Sequence, residues 1–196
     1  FCASERQFRL PLEYGGQRAG STQWTVTGAG ALLVARGRGK VKIKSATFGK
    51  ITDYDITDVN NMGAAMAPAA AETLCGFFDD TGKAPSDFDL ILTGDLGKVG
   101  SELLLTLMKE EKRDIDEIHS DCGLNIYYLD RQDVKSGGSG CGCSAAVLNS
   151  YILSKMERKE LNSVLFIGTG ALMSPTSSQQ GESIPGIAHL VHLVTA

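Results

Sequence analysis

The sequence predicts an α/β fold, a five-stranded mixed sheet covered by helices in the order ββ-α-β-α-(β)-α-β-β. Three observations carry that expectation. Short apolar runs, Asp89-Leu-Ile-Leu-Thr93 and Val164-Leu-Phe-Ile-Gly168, alternate with longer runs of helical period. The stretch from Trp24 to Ile51 is rich in β-formers and is broken by Gly37 and Gly39, as an antiparallel hairpin would be. The glycine-rich Ser136-Gly-Gly-Ser-Gly-Cys-Gly-Cys-Ser144 leads directly into an apolar helical run. Hairpin and crossover segments together argue for a mixed sheet, not a purely parallel one.

The elements follow in order. Residues 1 to 23 show no clear period, and Glu13-Tyr-Gly-Gly-Gln17 signals a loop. A strand ending in Ala31-Leu-Leu-Val-Ala35 turns at Gly37 to Gly39 into a second strand from Val41 to Ile51. Lys40, Lys42 and Lys44 alternate with Val41 and Ile43, which reads as the wet face of that strand. Pro68 fits a first helical turn, so the next helix is expected from about Ala67 to just before Gly82. Residues 89 to 93 form a buried strand, and a helix from about Val99 to Lys112 turns Leu103, Leu104 and Leu107 inward. One short strand is expected near Leu124 to Tyr128. After the glycine loop a helix extends to about Glu157, then the strand Val164 to Gly168. Residues 169 to 185 read as a long polar loop, and Gly186 to Thr195 as a closing strand.

Composition narrows the function classes. The chain has 196 residues, 42% hydrophobic and 21% charged, which suits an ordinary globular core. A formal charge of -4 gives no bulk attraction to nucleic acid. No run approaches the ~20 apolar residues that a membrane span needs. The chain starts Phe1-Cys2 without an initiator Met or a signal peptide, which reads as a fragment or a processed product. Cys2, Cys75, Cys122, Cys141 and Cys143 are odd in number and irregularly spaced. That pattern suits a reducing compartment better than a disulfide framework.

The glycine loop is the strongest chemical feature. Cys141 and Cys143 are too close in sequence for the usual zinc or redox spacing, even with His119 and Cys122 nearby. A phosphate loop would place Lys and then Ser or Thr after the last glycine, where Cys143 and Ser144 stand. What survives is a helix mouth whose first N–H groups are free to receive an acid, with Ser144 at the cap or in the first turn. The alternative is that these glycines serve only close packing of helix on sheet. Asp95, after Gly94, reads most simply as a cap of the following helix. Cys75 reads as a small core hydrophobe, and His189 as a core or edge residue.

Several motifs resemble the C-terminal half of the thiolase-like fold family and, within it, the stage V sporulation protein AD family. They are Trp24-Thr-Val-Thr-Gly-Ala-Gly-Ala-Leu-Leu-Val34, Met62-Gly-Ala-Ala-Met-Ala-Pro-Ala-Ala-Ala71 and Leu90-Ile-Leu-Thr-Gly-Asp-Leu96. Asp121-Cys-Gly123, Gly137 to Ala145, Ala171-Leu-Met-Ser-Pro175 and Gln179 to Pro185 followed by Ile187-Ala-His189 extend the likeness over nearly the whole chain. The resemblance implies that residues 1–23 are the tail of a first half with the crossover, and that 24–196 are the C-terminal half. It also implies that the nucleophile position of the fold lies outside this chain.

Where carbon-joining members of the fold carry a His or Asn, this chain has Gly94-Asp95 and Ser139-Gly140-Cys141. The resemblance therefore implies a non-catalytic role, with no metal and no cofactor. The implied role is binding of dipicolinic acid, a planar aromatic dianion often carried with calcium, in the spore's dipicolinate transport complex. The implied setting is peripheral, at the forespore or spore inner membrane, as a homodimer with other transport-complex proteins. Candidate ligand contacts in the loop are Gly138, Ser139, Gly140, Cys141 and Ser144. Those from the flanking strands are Thr25, Thr27 and Gly28, then Gly94 and Asp95, then Thr169 and Gly170. Two other readings stand beside this one. The first is acyl transfer, with Cys141 or Cys143 as nucleophile and Asp95 or His189 as its partner. The second is a scaffold without a ligand.

Overall fold

A computed structural model describes residues 19–37 and 39–196. The Glu13 to Gln17 loop, Cys2 and most of the expected first-half tail lie outside the described residues. Five strands form the main sheet: β2 (Val41–Thr47), β3 (Leu90–Thr93), β4 (His119–Asp121), β6 (Ser163–Ala171) and β7 (Gly186–Thr195). Their order is β2-β7-β6-β3-β4. β7 is antiparallel to both neighbours, while β3 is parallel to β6 and to β4. The sheet is mixed and five-stranded, as expected from the sequence. A second, two-stranded parallel sheet joins β1 (Trp24–Thr25) to β5 (Gly138–Ser139).

Helices cover both faces because strand residues alternate. On one face Ile91, Leu165, Ile167 and Leu190 pack with Leu74 and Phe77 of α1 (Met62–Thr81) and Leu104 of α2 (Gly97–Glu110). On the other, Leu92, Val164 and Leu193 meet Val147, Ile152 and Met156. Those last three belong to α4 (Cys143–Val147), a π-helical turn (Leu148–Ile152) and α5 (Leu153–Glu157). Each fully buried side chain of this size contributes about 2 kcal/mol relative to exposure. α1 and α2 cross at Gly63 and Gly100, where a Cβ on Gly63 would stand 2.8 Å from the Gly100 nitrogen.

The structure corrects four expectations. First, no hairpin joins 24–36 to 41–51; β2 pairs with β7, and residues 26–36 form no strand. β7 is a ten-residue strand with β6 on one side, and β2 satisfies the backbone groups along its other edge. Secondly, the helix expected from Ala67 starts at Met62, with Pro68 inside it. The Asn61 side chain accepts the Ala64 N–H, and burial of Ala65 to Ala71 outweighs the one bond that Pro68 removes.

Thirdly, the strand expected near Leu124 to Tyr128 falls earlier, at β4, and α3 (Cys122–Asn125) follows it as one helical turn. Fourthly, the stretch 169–185 is not all loop. β6 runs on to Ala171, opposite Gly186, and Ser174 caps the short α6 (Pro175–Gln179) by accepting the Ser177 N–H. The helix after the glycine loop begins at Cys143 and reaches Glu157, as expected, but through the π-turn.

Candidate functional site

The site forms where β3 ends. The chain leaves the strand through Thr93-Gly94-Asp95-Leu96-Gly97, and three neighbouring segments converge on this turn. Asp95 does not cap α2, contrary to expectation. Its Oδ2 accepts the Gly140 N–H at 3.0 Å, and its Oδ1 accepts the Thr169 hydroxyl at 2.9 Å. The Asp95 N–H donates back to Thr169 Oγ1 at 3.1 Å. Gly94 makes this approach possible, since a Cβ there would sit 2.9 Å from Thr169 Oγ1. One carboxylate thus ties the β3 turn to the glycine loop and to β6.

The start of α2 is held instead by Asp121, at the end of β4. Its Oδ2 accepts the Leu96 N–H at 2.9 Å and the Thr93 hydroxyl at 2.6 Å, and its Oδ1 accepts the Gly97 N–H at 3.0 Å. A carboxylate suits the positive end of a helix. Ser136, just before the glycine loop, supports the same turn. Its carbonyl accepts the Lys98 N–H at 2.8 Å and its hydroxyl accepts the Val99 N–H at 3.1 Å. Gly97 has φ 64°, and a Cβ there would collide with the Ser136 carbonyl.

Burial sets the electrostatics. It pushes the Asp95 carboxyl above its ordinary range, against the pull of Gly140 and Thr169. Asp121 is pushed up to about 6, first by burial and last by the charge of Asp95, while its three donors resist. His119, on β4, has its Nε2 3.1 Å from Thr93 Oγ1, and burial pulls it down to about 4. Since Thr93 donates to Asp121, the neutral His119 donates to Thr93. Burial also raises the thiols of Cys122 and Cys143, so neither supplies a ready thiolate. Cys141 is exposed.

The predicted site residues divide into two groups. Thr25, Gly94, Asp95, Gly138, Ser139, Gly140 and Thr169 come together. Thr25 pairs in register with Ser139, and a Cβ on Gly140 would lie 3.1 Å from Thr25 Cγ2. Gly28 instead packs on Gly142, whose added Cβ would strike the Gly28 carbonyl oxygen. That contact is the close packing offered as the alternative use of these glycines. Thr27 is exposed, Ser144 lies half-buried in the first turn of α4, and Gly170 pairs with Ile187 on the sheet. No hydrogen bond joins these three to Asp95 among the described residues. His189 is exposed, and its Nδ1 accepts the Gly49 N–H.

A polar cleft of about 190 Å³ opens beside the loop, lined by Ser21, Thr22, Gln23, Asn60, Met62 and Ser139, with Val59 at its edge. Sequence reasoning reached only Ser139 of these. Gln23 fixes the wall, since its Nε2 donates to the carbonyls of Asp95 and Gly138, each at 2.9 Å. Asn60-Asn61 before an apolar run was a helix-start signal that could have brought this cleft into view. Asp121, Thr93 and Ser136 were also missed. No local pattern marks a strand-end carboxylate that caps a distant helix.

The model of the family described as Stage V sporulation protein AD (SpoVAD) matches residues 1–194. Stage V sporulation protein AD of Bacillus subtilis (strain 168) is 50% identical over 186 residues, which is 95% of this chain and 55% of that protein. The chain therefore spans about half the length of the curated relative it matches. Among solved structures, the Acat5 thiolase from Ascaris suum in complex with coenzyme A superposes with a TM-score of 0.42 at 12% identity, covering 82% of this chain and 32% of that one. The Bacillus anthracis acetyl-CoA acetyltransferase gives 0.40 at 14% identity, covering 81% and 31%. On the family match and the extent of identity, the chain belongs to the stage V sporulation protein AD family.

Proposed function

We propose that this chain is part of a non-catalytic binding protein that holds dipicolinic acid for the spore's dipicolinate transport machinery. One observation carries the reading: Asp95 stands at the mouth of the glycine loop, bonded to Gly140 and Thr169. Condensation needs a base and oxyanion donors around a thiolate. A carboxylate there already occupies an N–H that would serve an oxyanion. The imidazole nearest in the bonding network, His119, is engaged by Thr93 and lies behind Asp121. The acyl-transfer reading finds little support: the Cys143 thiol is buried, His189 bonds to Gly49, and among the described residues no base is hydrogen-bonded to the exposed Cys141.

The cleft beside Ser139 suits a small planar acid. Its walls offer hydroxyl and amide groups around a volume of about 190 Å³. Membership of a sporulation family supports the cellular role. Among the described residues no helix is long and apolar enough to cross a membrane. We place the protein peripherally at the spore inner membrane, held there through partner proteins. A homodimer completes the proposal.

The test is calorimetric titration of dipicolinate, with and without calcium. Saturable heat at or below millimolar ligand, lost when Ser139 and Asn60 are replaced by bulky apolar residues, is the expected result. No heat under either condition would leave the scaffold reading in its place.

A further inference from the structure

We propose that Gln23 is a positioning residue of the cleft beside the glycine loop, holding Ser139 where a bound acid needs its hydroxyl. This inference rests on the binding reading above. Two segments line the cleft with Ser139. One is Val59, Asn60 and Met62, at the start of α1, whose buried run from Ala65 to Ala71 fixes it in the core. The other is Ser21, Thr22 and Gln23, which leads into β1. The Ser139 hydroxyl makes no hydrogen bond among the described residues, so it is open to a ligand.

The second segment and Ser139 are weakly built by themselves. β1 and β5 pair over two residues each, Trp24 with Gly138 and Thr25 with Ser139, and a two-stranded pair so short does not hold itself in water. The Thr22 carbonyl accepts the Ser136 N–H, and Trp24 donates to the carbonyls of Gly137 and Asp133, so these bonds stay within the pair and its loop. Gln23 crosses to the main sheet. Its Nε2 donates to the Gly138 carbonyl on β5 and to the Asp95 carbonyl in the turn after β3, each at 2.9 Å.

The position is particular to this side chain. Both amide hydrogens are used, so a flip would turn the amide oxygen onto two carbonyls. Gly97 leaves the space, since a Cβ there would stand 2.6 Å from Gln23 Nε2. At the far end of the tie the Asp95 carboxylate holds Gly140, the neighbour of Ser139, and Thr169 of β6. Ser139 is thus fixed on both sides, through Gly138 by Gln23 and through Gly140 by Asp95. Without Gln23 the short pair is free to shift, and the Ser139 hydroxyl loses its placement in the cleft.

The experiment is a double-mutant cycle read by calorimetric titration with dipicolinate, below the unfolding transition of every variant. Gln23→Leu keeps the bulk and removes both donors, and its affinity should fall about tenfold. Ser139→Ala should weaken wild-type binding about threefold and cost nothing further in the Gln23→Leu chain, where the hydroxyl is already out of place. A general loosening of the fold would give additive losses instead, and additivity overturns the inference. Gln23→Asn keeps the amide but is too short to hold both carbonyls. It should bind between wild type and Gln23→Leu, and it keeps the test open if Gln23→Leu does not fold. Full wild-type affinity in either Gln23 variant overturns the inference and leaves the binding reading standing. Absence of binding by the wild-type chain overturns both.

Discussion

Two hollows on this molecule differ in size and in construction. The larger, of about 830 Å³, runs along the β2 edge between residues 32–37 and 39–43 on one side and Leu148, Leu153 and Glu157 on the other, with a lining that is mostly apolar but carries Arg36, Lys40, Lys42 and Glu157. The smaller polar cleft, of about 190 Å³, lies beside the glycine loop. In the large groove the segment Leu32 to Val34 is open to solvent, and Leu33 is 95% exposed. Near the glycine loop, Asp121 is fully buried and every carboxylate oxygen of Asp95 and Asp121 has a donor. Volume alone would choose the groove. Built chemistry chooses the cleft, because buried carboxylates persist only where several segments agree to satisfy them.

The largest expected effect comes from breaking that agreement. Asp121→Ala leaves the Thr93 hydroxyl and the Leu96 and Gly97 N–H groups without their acceptor and should cost about 3 kcal/mol or more in denaturant unfolding. The pH dependence sharpens this. Asp121 is raised from 3.8 to about 6 on folding, so its contribution is full below about pH 4 and is lost as pH rises through 6. His119 is lowered from 6.5 to about 4, so its contribution is full above about pH 6.5 and is lost as pH falls through 4. Each amounts to about 3 kcal/mol, and between pH 4 and 6 they oppose each other. The wild-type chain should therefore show a nearly flat stability profile there. His119→Gln should be less stable at pH 6 than at pH 4, and Asp121→Asn less stable at pH 4 than at pH 6. Parallel slopes in the two variants would show that the groups do not titrate as the network requires.

A middle-sized effect is expected at the seam between the two regions. Gly142→Ala drives a methyl into the Gly28 carbonyl, and overpacking of this kind costs about 1–3 kcal/mol. A neutral result would mean that the 26–30 segment moves aside freely. The smallest effect belongs to the groove. Leu33→Ser should change the stability of this chain by less than about 0.5 kcal/mol, as exposed substitutions do. A larger loss on thermal unfolding would show that the segment packs, and the contrast between the hollows would fail.

Much of this could be read from the chain. The apolar runs at 89–93 and 164–168 became neighbouring parallel strands, and Gly186 to Thr195 became the long strand beside the second. Thr25, Asp95, Ser139, Gly140 and Thr169 were expected together and are together. These features are local in origin, since β-former content, glycine placement and polarity are written residue by residue.

The pairing of β2 with β7, the start of the first long helix ahead of Pro68, and the transfer of the helix cap from Asp95 to Asp121 were settled only by the tertiary structure. Each is a competition between partners far apart in sequence. Asp95 and Asp121 are both plausible caps of the same helix by type. Only the sheet order, which sets β4 beside β3, brings the more distant one to the free N–H groups and leaves the nearer one to hold the loop.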